Sequence, residues 1–225
     1  MDPRRGVVRL LVPLYEHPAD RPEAWRQLLR AAPRLYGVVL NPASGPGAAP
    51  DPGFARAVDR LRAAGVRVLG YADTDYGRRP PADVLADLLR YRRWYGTDGA
   101  FLDQAAASPQ ALARYRELAD AARQEAGIRT LALNPGVHPD PGYAELADLL
   151  VTFEGTWRSY LADRVPRWAR LQPPQRLCHL VYGVPRGQGA HAAALAGRRG
   201  AGVCCAVPGT MPHPWDGLPE ELVTE

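Results

Sequence analysis

The segment Asp98-Gly99-Ala100-Phe101-Leu102-Asp103-Gln104 passes from a turn signal through a short apolar run into a carboxylate. A run of that length bounded by turn residues reads as a buried strand, too short for a helix. Its last residue is a charged side chain, which costs free energy to desolvate unless it is paired or used. The same pattern recurs on both sides of this segment, and strands are predicted at residues 9–15, 37–41, 66–71, 99–103, 129–134, 149–154, 177–183 and 202–207. Helices are predicted between them at 22–32, 52–64, 82–95, 109–126, 142–147, 188–197 and, as a broken stretch, 160–171. The clearest has Leu112, Tyr115, Leu118, Ala119 and Ala122 at helical spacing, with Ser108 and Pro109 as its opening signal. Alternating strands and helices make βα units and a parallel sheet. Eight strands in 225 residues predict one α/β domain over 1–225, a (β/α)8 barrel of the TIM type. A flavodoxin-like sheet would leave two strand signals unused. No eighth helix is legible after the last strand, only a Pro-rich tail at 208–225 that could close the barrel.

In such a barrel chemistry gathers where strands end, so the residues terminating each apolar run carry the information. They are polar and mostly acidic or aromatic: Tyr15, Glu16 and His17 after the first strand, Asn41 after the second, Tyr71, Asp73, Asp75 and Tyr76 after the third. Asp103 and Gln104 follow the fourth, Asn134 the fifth and Glu154 the sixth, with Trp157 shortly after, while His179 and Tyr182 lie on the seventh. Asp103 and Glu154 are the strongest candidates for catalysis, because each closes a run of buried apolar residues. Tyr15, Glu16, Asn41, Tyr71, Asp73, Asp75, Tyr76, Gln104, Asn134, Trp157, His179 and Tyr182 are expected to line a substrate site. Tyr71 and Trp157 are the favoured aromatic walls, and His179 reads equally well as a core histidine.

The composition narrows the occupant. All 28 basic residues are arginine, so Schiff-base and pyridoxal chemistry, which need a lysine amine, are excluded. The arginines are scattered along helices without interleaved aromatics, which argues against nucleic acid as a partner. Ser44-Gly45-Pro46-Gly47 lacks the pattern of a phosphate cradle, and the acidic and histidine residues lack metal-ligand spacing, so no cofactor and no metal are expected. Cys178, Cys204 and Cys205 suggest neither a disulfide framework nor a zinc site. No apolar run reaches the roughly 18 residues of a membrane span. The first residues, Met1-Asp2-Pro3-Arg4-Arg5, lack the pattern of a secretory leader, which gives the expectation of a soluble, cytoplasmic protein without a membrane partner.

Six motifs in order, Val12-Pro13-Leu14-Tyr15, Asn41-Pro42-Ala43-Ser44-Gly45-Pro46-Gly47, Gly70-Tyr71 through Tyr76-Gly77, Asp98 to Asp103, Asn134-Pro135-Gly136 and Phe153-Glu154, resemble the spherulin-4 (spherulation-specific family 4) proteins over about residues 9 to 210. That resemblance implies a (β/α)8 barrel related to glycoside hydrolases that cut α-1,4-linked galactosamine or N-acetylgalactosamine polymers. It also implies an Asp-Glu pair ending the fourth strand and a further Glu on a later strand, matched here by Asp103 and Glu154. Gln104 departs from the pattern, standing where hydrolase-like members carry the Glu, and a glutamine cannot exchange protons.

Three readings follow. The first is a glycoside hydrolase-like enzyme in which Asp103 and Glu154 flank the glycosidic bond; the more apolar surroundings would raise one pKa and identify the acid. Glu16, Asp73 and Asp75 would then give the site a negative field suited to a cationic amino-sugar. The others are an intracellular enzyme using the same carboxylates on a small molecule, and a non-catalytic carbohydrate-binding protein.

Overall fold

The computed structural model describes residues 7–223. Residues 1–5, read above for leader character, and the last two residues of the tail lie outside the described residues. Eight parallel strands, β1 (Arg9–Pro13), β2 (Leu35–Leu40), β3 (Val68–Asp73), β4 (Gly99–Asp103), β5 (Thr130–Leu133), β6 (Leu149–Thr156), β7 (Leu177–Tyr182) and β8 (Val203–Ala206), pair in chain order. β8 returns to β1 through Arg9 beside Val203 and Leu10 beside Cys204, which closes the barrel. The helices are α1 (Pro22–Arg30), α2 (Pro52–Ala63), α3 (Pro81–Tyr95), α4 (Leu112–Gln124), α5 (Tyr143–Leu146), α6 (Trp157–Ala162), α7 (Arg167–Arg170) and α8 (Gly189–Arg198). The broken stretch after β6 is therefore two short helices, α6 and α7, and α4 is preceded by one 3-10 turn over Pro109–Ala111.

Strand alternation sorts the core into two layers. Leu11, Val39, Leu69, Tyr71, Phe101, Ala132, Leu149, Val151, Cys178, Leu180, Val203 and Cys205 fill the barrel interior. Their neighbours on the opposite faces, such as Val12, Val38, Leu102 and Leu133, pack against the helices. Gly70 lies on the outer face of β3, where a Cβ would stand 2.5 Å from the Tyr91 ring of α3; its absence lets that ring lie on the sheet. α2 starts cleanly because Asp51 accepts the N–H groups of Gly53 and Phe54 at 2.6 and 3.1 Å.

Two departures from the strand rhythm position the site. In β6 the pairing with β7 slips between Val151 and Phe153, a bulge at Thr152. Strict alternation after Leu149 and Val151 would turn Phe153 inward and Glu154 toward the helices. With the extra residue, Phe153 joins the outer core instead, and Glu154 is turned to the interior. The second departure is the tail, which contains no α-helix but is not idle. Leu218 and Leu222 pack into the outer core beside Leu10, Val12 and Leu35, and Trp215 joins the interior cluster at the barrel mouth.

Candidate active site

Asp103 ends β4 at the centre of a short hydrogen-bonded chain. The Tyr71 hydroxyl donates to its Oδ2 at 2.9 Å, and the Asn134 Nδ2 donates to its Oδ1 at 2.6 Å. The same Asn134 nitrogen donates to Glu154 Oε2. Asn134 is 3% exposed, and its Oδ1 accepts the Gly136 N–H at 3.0 Å. That contact fixes the amide so that its two N–H groups face the two acids. The other oxygen of Glu154, Oε1, accepts the Trp215 indole N–H at 3.3 Å. Tyr15 and Tyr182 complete the rim: the Tyr15 ring meets Tyr71 edge-on at 5.9 Å, and Tyr182 meets Trp215 edge-on at 6.1 Å. The tail is tied down by the Tyr15 N–H, which donates to the Trp215 carbonyl at 3.2 Å.

Burial separates the two acids electrostatically. Glu154 is pushed up to about 7 from its usual 4.5, mainly by burial and then by the charge of Asp103, against the opposing hydrogen bonds from Asn134 and Trp215. Burial also raises Asp103, but three donors, the Tyr71 hydroxyl, the Gln104 backbone N–H and the Asn134 amide, favour its ionised form. Tyr15 is held well above its ordinary value, chiefly by burial and then by Asp103 and Glu154.

The loop after β3 is strapped to the end of β4. Gln104 carries a φ of 47°, and its carbonyl accepts the Tyr76 N–H at 2.7 Å and the Thr74 hydroxyl at 2.9 Å. Asp75 and Tyr76 are left-handed as well, so three of the four non-glycine residues with positive φ among the described residues cluster here. Such strain collects at functional sites.

The other expected residues make their contacts outside the Asp103–Asn134–Glu154 chain, with Asp73 beside Asp103 across the β3–β4 pairing. The Asn41 Oδ1 accepts the Gly45 N–H at 2.8 Å, which shapes the turn after β2. Glu16 faces Arg21 at 3.5 Å, and Asp75 accepts from Arg78 Nε at 3.1 Å, so two of the three extra acids are offset by arginines. Asp73 accepts the Asp75 N–H at 2.6 Å and has no cationic partner among the described residues. Tyr76 stands 55% exposed with Arg78 over its ring at 5.8 Å.

Two expectations need correction. His179 points away from the barrel interior, between Cys178 and Leu180, and hydrogen-bonds the Tyr160 hydroxyl of α6 at 2.8 Å; burial lowers it to about 3. It is a neutral core histidine. Trp157 packs at the start of α6 against Tyr160 and His191, on the helix side of the sheet. The tryptophan beside Glu154 is Trp215, which sequence reading missed. Its one sequence signal is a large aromatic in Pro214-Trp215-Asp216-Gly217, a tail otherwise built for turns.

A family model described as spherulation-specific family 4 matches residues 9–213. The chain belongs to that family. Within spherulation-specific family 4, Spherulin-4 of Physarum polycephalum is 35% identical over 170 residues, which are 74% of this chain and 50% of that protein. The chain thus spans about half the length of this curated relative. The crystal structure of Aspergillus clavatus Sph3 in complex with GalNAc superposes with a TM-score of 0.82 and 26% identity, covering 97% of this chain and 96% of that one. The glycoside hydrolase domain of Pseudomonas aeruginosa PelA shares the fold, with a TM-score of 0.53 at 19% identity over 95% and 98% of the two chains. This family member therefore shares its barrel fold with Sph3 and with the PelA domain.

Proposed function

We propose that this protein is a retaining glycosidase for α-linked galactosamine-type sugars, with Glu154 as general acid and Asp103 as the ionised partner at the anomeric carbon. The observation that carries this reading is the single Asn134 nitrogen that donates to both carboxyl groups. Two acceptors on one nitrogen lie within about 6 Å of each other, closer to the roughly 5–5.5 Å between the carboxyls of retaining enzymes than to the about 6.5–9.5 Å of inverting enzymes, which place a water there. The roles follow from the surroundings. Glu154, raised to about 7, keeps a proton for the leaving oxygen at neutral pH. Asp103, held by three donors that favour its charge, is the group to meet the developing oxocarbenium ion. Glu154, once ionised, would then take the proton of the water that releases the sugar.

The substrate class is supported by the sugar bound to Sph3 and by Asp73. Asp73 lies close enough to Asp103 to raise its pKa and has no cationic partner among the described residues, so it is the acid to meet a sugar ammonium group. Gln104 does not disturb this assignment, because the hydrogen bonds linking Asp103 to Glu154 do not involve its side chain. The test is cleavage of α-1,4-linked galactosamine and N-acetylgalactosamine oligomers followed by proton NMR. The first-formed reducing end should be the α-anomer, and Asp103→Asn and Glu154→Gln should each abolish release. A β-anomer, or turnover that survives both substitutions, would refute the reading.

A further inference from the structure

A second concavity lies at the opposite end of the barrel from the acid pair. At the amino ends of the strands, a cavity of about 700 Å3 is bounded by Arg9, Tyr36, Arg67, Arg176, Arg198 and Asp148, among others. Four arginines against one acid make this wall strongly positive, and the acid is already engaged: Asp148 accepts the Leu131 N–H at 2.8 Å and faces Arg123 at 3.6 Å. None of Arg9, Arg67, Arg176 and Arg198 has a carboxylate partner among the described residues, whereas Arg26, Arg78, Arg79 and Arg90 are all paired.

Three of these guanidinium groups are instead held by main-chain carbonyls. Arg67 donates to the Tyr36 carbonyl at 3.3 Å and lies 5.0 Å from the Tyr36 ring centroid. Arg176 donates to the carbonyls of Ala144 and Ala147 at 2.6 and 2.7 Å, and Arg9 donates to that of Leu35. Carbonyl anchoring fixes where the charge sits without cancelling it, and a guanidinium has five N–H donors, so each keeps donors free. Gly197 and Gly202 add no side chains to the wall. The volume falls within the roughly 300–1,000 Å3 of small-molecule sites, and a concave wall of one charge sign focuses its field on an ion inside. Clustered guanidinium forks match the oxygens of a phosphate group better than a single carboxylate, which one fork would satisfy.

We infer that this cavity binds a small phosphate-bearing anion, at a site separate from the acid pair and of opposite charge. Inorganic pyrophosphate is the probe. Titrated calorimetrically into the full chain at about 0.15 M salt, it should bind saturably at one site per chain. The affinity should fall at least tenfold in Arg67→Ala/Arg198→Ala and stay unchanged in Asp103→Asn. Both arginines are exposed, so the double variant should keep its fold, checked by circular dichroism. Saturable binding would also raise the Tm of the unsubstituted protein and not that of the double variant. The inference is overturned by absence of binding at millimolar pyrophosphate, by uptake that never saturates, or by affinity that survives the double substitution. None of these readouts involves sugar cleavage, so this site and the proposed glycosidase activity stand or fall separately.

Discussion

Asn134 shows how one neutral side chain governs two acids. Its amide satisfies one oxygen on each carboxyl, and the Tyr71 hydroxyl and Trp215 indole take the remaining two. Because the charge of Asp103 is the second cause of the high Glu154 pKa, after burial, Asp103→Asn should bring the Glu154 titration, followed by carbon NMR, below 7. A titration that stays in place would mean burial alone sets the value. Gln104 offers the contrasting case. Its side chain is no part of the chain of contacts between the acids, so Gln104→Glu should change kcat/KM by less than about tenfold, a barrier change under roughly 1.4 kcal/mol. A gain of several hundredfold in a sugar-release assay would show that the pair is incomplete without a third acid.

At the scale of elements, all eight strands, Asp103 ending β4 and Glu154 near the end of β6 could be read from the sequence, because short apolar runs closed by carboxylates are a local signal. What was hidden depends on contacts distant in sequence. The bulge at Thr152 that turns Glu154 inward is set by the pairing of β6 with β7, and nothing in Leu149 to Phe153 announces it. His179 misled for the same reason, since period two on β7 allows either face until Tyr160 is placed beside it. The tail read as a closing segment without chemistry, yet its Trp215 donates to Glu154 across 61 residues of sequence. Donation from Trp215 favours the ionised form of Glu154, so Trp215→Phe should raise that pKa. The alkaline limb of the kcat/KM profile should then move to higher pH, with kcat at pH 5 reduced only a few-fold. A uniform loss at every pH would assign Trp215 to packing alone.

For the molecule as a whole, the buried acid Glu154 and the buried His179 pull stability in opposite directions with pH. Glu154 has a folded value near 7 against an ordinary 4.5, so between these values the native state keeps a proton that the unfolded chain has released. Stability attributable to Glu154 therefore falls as pH rises through that window, by roughly 3 kcal/mol in all. Asp103, also raised by burial, acts in the same direction. His179 does the reverse: lowered from 6.5 to about 3, it stays neutral in the fold while the unfolded chain binds a proton, so its contribution grows with pH up to 6.5. The two offset each other over the shared window, and above it only the cost of the buried acid remains. Glu154→Gln removes that cost and leaves the histidine untouched, though its NH2 then faces one of the two donors, Asn134 or Trp215, that now meet separate oxygens of Glu154. The stability of the variant relative to the unsubstituted protein, measured by urea unfolding, should thus be about 3 kcal/mol more favourable at pH 8 than at pH 4.5. An equal difference at both pH values would mean that Glu154 ionises normally in the fold, and the proton assigned to it for the leaving group would not be there at neutral pH.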